Sequence, residues 1–122
     1  RKYDGGITDP LPVKKAYDMG ARDITLIRTY EETFMRKTKF ENYIAALATR
    51  SYPKISRALI SNTKTYNSAL EFIKNPPSDC NITQICPPHR LKTKRATTNH
   101  STMKADYFLG TQIGQRFLQK FL

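Results

Sequence analysis

Apolar residues return along much of this chain at helical intervals. From residue 40 they recur every three or four positions as Phe40, Tyr43, Ile44, Leu47 and Ala48. They continue as Ile55, Ala58 and Leu59, then as Tyr66, Ala69, Leu70 and Ile73. Such spacing gathers side chains on one face of a helix. The face changes near Asn62 and Thr63, so the second stretch is expected to be two helices or one bent one. Pro53 suits a first helical turn, where its missing amide hydrogen costs nothing, and Pro76-Pro77 stops the run. Nearer the start, Pro10 and Pro12 fix φ at another helix entrance, Thr8 or Asp9 can cap it, Val13, Ala16 and Tyr17 line one face, and Gly20 ends it.

Shorter apolar runs separate these helices. Ile24–Arg28 predicts a short buried strand, and Asn81-Ile82-Thr83-Gln84-Ile85-Cys86, closed by Pro87-Pro88, predicts another. The first completes a strand, helix, strand unit of parallel type whose opening strand barely enters the sequence. Ser101 or Thr102 can cap a last helix reaching about Lys120, with Tyr107, Ile113, Phe117 and Phe121 as apolar cover. Gly110 and Gly114 would let that helix approach a neighbouring backbone closely. The fold class is therefore α/β with helices in excess, parallel sheet elements, and no internal repeat or low-complexity linker. A length of 122 residues with 39% hydrophobic content suits one domain with a modest core. Within it, residues 1–30 form the strand, helix, strand unit and 38–122 a helix-rich remainder.

Charge adds a partner class. The chain carries 21 Lys and Arg against 10 Asp and Glu, a net +11. The excess lies in residues 28–74, with nine basic and four acidic, and in 86–122, with seven basic and one acidic. Arg90, Lys92, Lys94 and Arg95 stand in a stretch, Arg90 to Asn99, with few large apolar residues, which reads as an exposed basic loop. Such a surface attracts polyanions, whether nucleic acid or an anionic bilayer, or it is simply solvated. No run of eighteen apolar residues and no signal-peptide pattern is visible, so the expected location is cytoplasmic, at the membrane periphery.

Candidate chemistry sits at the start. Tyr3-Asp4-Gly5-Gly6-Ile7-Thr8-Asp9-Pro10-Leu11-Pro12-Val13 reads as a strand end delivering one carboxylate into a glycine turn before a helix. Taken alone, Asp-Gly-Gly is a tight turn. Together with the Pro-Leu-Pro-Val helix entrance and Gly20-Ala21-Arg22-Asp23-Ile24-Thr25-Leu26-Ile27-Arg28-Thr29, it resembles the aspartate segment of bacterial patatin-like phospholipases. That resemblance is most specific over residues 3–29. It implies the C-terminal part of a three-layer patatin-like fold and a Ser-Asp dyad in which Asp4 is the aspartate and the serine lies upstream in a Gly-x-Ser-x-Gly elbow. Gly5 and Gly6 would leave room beside the carboxylate, which partial desolvation would have to make more basic.

The resemblance also implies a division of labour. This chain would be inactive alone and would depend on the rest of a parent chain that cleaves phospholipid or another acyl ester without a cofactor. A second copy could cover edges and faces left bare, giving a homodimer. The competing expectation is a non-enzymatic basic module that binds nucleic acid or an anionic membrane.

Other candidates are weaker. Gly110-Thr111-Gln112-Ile113-Gly114 copies the glycine spacing of a nucleophile elbow, but Gln112 holds the nucleophile's place and the segment is helical in pattern. Asp9 fits a helix cap and Asp18 a solvent-facing position. Arg28 could face an active-site edge. His89 and His100 have no Ser or Cys at a recognised motif spacing. Cys80, Cys86 and His89 match no common zinc pattern. An extended segment would hold the two cysteines roughly 20 Å apart, too far for a disulfide, and reduced thiols fit a cytosolic protein.

Overall fold

The computed structural model describes residues 4–37 and 40–122. The opening strand expected before Asp4 lies outside them. Among the described residues the chain is mixed α/β, with four α-helices, one 3-10 turn (Gly5–Ile7) and two strands. The helices are α1 (Val13–Asp18), α2 (Phe40–Ala48), α3 (Pro53–Lys74) and α4 (His100–Gln119), and the strands are β1 (Asp23–Ile27) and β2 (Asn81–Ile85). β1 and β2 pair as one two-stranded sheet. Asn81 N–H donates to Arg22 O at 2.7 Å at one end and Arg28 N–H to Ile85 O at 2.9 Å at the other. Both numbers rise together, so the strands are parallel. Among the described residues no feature specific to a patatin-like fold is shown.

The chain divides into two compact units. One contains Arg1–Ile24 and Met35–Asn81, the other Thr25–Phe34 and Ile82–Leu122.

In the first unit α3 is the organising element, with α1, α2 and the 3-10 turn packed on it. Its 22 residues form one uninterrupted helix beginning on Pro53, not two. The polar residues at the expected break face inward: Thr63 is buried with Tyr66, Leu70 and Ile73. Val13 of α1 is also buried.

The apolar face expected for α2 is turned outward. Phe40, Tyr43, Ile44 and Leu47 are exposed, at 77%, 47%, 52% and 70%, and the buried residue is Ala46 at 4%. The small Ala46 side chain lets the α2 and α3 backbones come close. Ser56 Oγ of α3 there donates to Ala46 O at 3.0 Å, and Thr49 Oγ1 donates to Ala45 O at 2.9 Å. Carbonyls at the end of α2 thus gain the partners that a helix terminus lacks.

Two expected caps move. α1 begins behind Pro12 with no side-chain cap bond, so neither Thr8 nor Asp9 caps it, and Thr8 Oγ1 instead donates to Gly5 O at 3.1 Å. In the second unit, α4 is capped by Asn99, whose side chain accepts from the amides of Ser101 and Thr102, in place of Ser101 or Thr102 themselves. Gly20 follows α1 with φ of 104°, the left-handed region that favours glycine.

The strand β1 is half-exposed rather than buried, with Ile24 and Leu26 partly covered and Ile27 76% exposed. α4 has no fully buried residue among those described. A Cβ added at Gly110 or Gly114 would meet nothing within 4 Å, so neither glycine serves a close backbone approach here.

Candidate functional site

Asp4 caps the 3-10 turn. Its Oδ1 accepts Gly6 N–H at 2.8 Å, and Ile7 N–H donates to Asp4 O at 3.1 Å. The carboxylate is exposed. A Cβ on Gly6 would come within 3.3 Å of Asp4 Oδ1, whereas one on Gly5 would meet nothing within 4 Å. Gly6 therefore makes room for the carboxylate's fold-back, and Gly5 has no such task in this structure.

The turn is braced from α3. Asn62 Nδ2 donates to Gly6 O at 3.0 Å and Ile7 O at 2.9 Å. Asn62 Oδ1 accepts from the Arg36 guanidinium, which lies over the Tyr66 ring at 4.4 Å from its centroid. Asn67 fixes the Arg36 backbone from both sides, accepting its N–H at 3.0 Å and donating to its O at 2.9 Å. Asn62, Asn67 and Arg36 were not singled out from sequence, where Asn62 marks only an interruption in the apolar face. Asp9 and Asp18 line a neighbouring cleft of about 500 Å³, together with Lys14, Lys64, Thr65 and Ser68. Asp18 is exposed and paired with Lys14 at 2.8 Å.

The Gly20-Ala21-Arg22-Asp23 turn has a structural task. Arg22 Nε pairs with Asp79 Oδ2 at 2.9 Å, and its guanidinium lies over Tyr17, 4.2 Å from the ring centroid. Tyr17 OH donates to Asp79 Oδ1 at 3.0 Å. That bond to a carboxylate holds the phenol above its ordinary pKa, because ionised Tyr17 would face a second negative charge.

Arg90, Lys92, Lys94 and Arg95 are exposed in irregular backbone. Arg90, Lys94 and Arg95 line a cleft of about 500 Å³ with Thr29, Tyr30 and Thr93. The segment is pinned at three places. Thr93 N–H donates to Asp106 Oδ2 at 2.6 Å, Lys94 N–H to Thr97 Oγ1 at 2.7 Å, and Asn99 caps α4. Bonding to Thr93 holds the Asp106 carboxyl below its usual range, since the donors favour its charged form.

Arg28, a residue that could have faced an active-site edge, is 6% exposed. It donates to Glu32 O at 3.2 Å and Gln84 Oε1 at 3.0 Å. Cys80 and Cys86 are free thiols, the first buried. Among the described residues no three His, Cys, Asp or Glu side chains form a metal cluster, and no helix is long and apolar enough to cross a membrane.

The family match falls on α3, β2, the basic loop and α4: a domain of unknown function, DUF6363, matches residues 52–122. This chain belongs to the DUF6363 family. Uncharacterized protein YjjU of Escherichia coli K12 is 29% identical over 116 residues, which cover 94% of this chain and 32% of the relative. The chain thus spans about a third of the length of the curated relative it matches. No solved structure matches it. These findings correct the resemblance read from residues 3–29: the matched family is DUF6363, and nothing in it or in YjjU points to a patatin-like phospholipase. The DUF6363 match includes the basic loop and leaves Asp4, Gly5 and Gly6 outside.

Proposed function

We propose that this chain is a basic binding module that docks on anionic bilayers through Arg90, Lys92, Lys94 and Arg95. The observation that carries this reading is the pinned loop itself, with four exposed cations in six residues, three of them lining one cleft. Pinning matters because a loop ordered in advance loses less conformational freedom on binding. The same unit also exposes Tyr107, Phe108, Leu118 and Phe121, residue types that favour the interface of a membrane.

The test is co-sedimentation with vesicles of phosphatidylcholine alone or with 30% phosphatidylserine added. Binding should require the anionic lipid. It should fall by roughly several hundredfold when the four basic residues become Gln, since each cation near such a surface contributes about 1 kcal/mol, about fivefold in affinity. Equal binding to neutral vesicles, or no response to the quadruple substitution, rejects the reading. Steeply salt-dependent DNA binding with no vesicle binding would assign the loop to nucleic acid instead.

A further inference from the structure

The second unit contains a cavity of about 330 Å³ between β2 with its exit and α4. Its apolar lining comes from Ile85, Leu109, Ile113 and Phe117, and its cations are Arg116 and Lys120. Ile113 and Phe117 are one helical turn apart on α4, and Arg116, in its last turn, stands four residues before Lys120, which caps its end, so the cations lie at the C-terminal end of the apolar row. No carboxylate lines the cavity. The volume is at the low end of the ~300–1,000 Å³ found for small-molecule sites, which combine apolar walls with a few placed polar groups.

We propose that this cavity binds a small amphipathic anion, an aliphatic chain ending in a carboxylate, with the chain against Ile85, Leu109, Ile113 and Phe117 and the head group between Arg116 and Lys120. Apolar surface alone would accept any aliphatic guest. The paired cations, with no lining carboxylate to neutralise them, select a negative one. This site is separate from the basic loop: Arg90, Lys92, Lys94 and Arg95 do not line it.

Cys86 supplies a reporter. Its half-buried side chain lines the same cavity, with Sγ 3.9 Å from Gln84 Oε1. Burial raises its pKa against the opposing effect of Arg28, so the thiol reacts slowly and a guest that covers it should slow it further.

The experiment measures the rate of N-ethylmaleimide addition to Cys86 in the full chain, read by peptide mapping so that Cys80 is scored separately. It is run with sodium decanoate below its micelle concentration and with decanol at equal concentration. Decanoate is expected to slow labelling of Cys86 at least fivefold and decanol less than twofold. Decanoate protection should disappear in Arg116→Gln/Lys120→Gln, two exposed positions, with circular dichroism confirming that the variant is folded. An unchanged labelling rate with decanoate overturns the proposal. Equal protection by decanol, or full protection retained in the double variant, overturns anion selection and with it the proposal. Vesicles are absent, so failure here leaves the bilayer reading standing, and failure of vesicle binding leaves this site untouched.

Discussion

The amide of Thr93 donates to the Asp106 carboxylate at 2.6 Å, tying the centre of the basic loop to the first turns of α4. Asp106 is the one acidic residue among the seven basic residues of 86–122. Its position in the fold makes it a staple for those cations.

The bond gives the loop a pH dependence. A carboxyl whose folded pKa is lowered contributes stability above its unfolded pKa, near 3.8 here, and loses it as pH falls through the lower folded value. The Thr93 amide resonance should therefore hold its position above pH 5 and move below 3.8. In Asp106→Asn the shift should vanish, and trypsin should cut at Arg90–Arg95 several-fold faster at neutral pH. A Thr93 amide indifferent to both changes would refute the staple.

Replacing Asn62 with Ala removes both donors to the Gly6 and Ile7 carbonyls and the oxygen that receives Arg36. The cost should be roughly 1–3 kcal/mol, because polar groups lose partners without being removed themselves. Urea unfolding should show it as a lower midpoint at unchanged slope. The Gly6 and Ile7 amide resonances should shift more than those of α1. A loss under 0.5 kcal/mol would mean that water replaces Asn62 and that the brace does not fix the turn.

The outward turn of α2 makes a contrast that can be measured. Leu70→Ala, at a position 2% exposed, should cost about 2–5 kcal/mol. Leu47→Ala, at one 70% exposed, should stay within about 0.5 kcal/mol. Ala46→Leu should cost about 1–3 kcal/mol, because added methyl groups would push α2 away from α3. If Leu47→Ala were the costly change and Ala46→Leu the harmless one, the helix would be facing the other way.

Element positions were legible because their causes are local. Pro53 starts α3 and Pro76-Pro77 follows its end, the helical spacing from Phe40 marks α2, and the run from Asn81 marks β2. Which face of α2 is buried was not legible: periodicity finds a stripe but not its neighbour, and here close approach at Ala46 outweighed the larger apolar residues. That residues 53–74 form one helix and not two was not legible for a related reason. Polar residues inside a helix face look like an interruption until their distant partners, the carbonyls of Gly6 and Ile7 and the Arg36 guanidinium, are known.

The sequence by itself determined the net positive charge, its excess in residues 28–74 and 86–122, the α/β order and the glycine turn after Asp4, all properties of composition or of a few adjacent residues. Tertiary structure alone decided that Asn62 and Arg36 brace that turn, that Asp106 holds the basic loop, that Arg28 is buried, and that Cys86 shares a cavity with Arg116 and Lys120. Each of these depends on residues far apart in sequence meeting in space. No local propensity encodes such a meeting, and it appears only when the packing of α3 in one unit and α4 in the other is fixed.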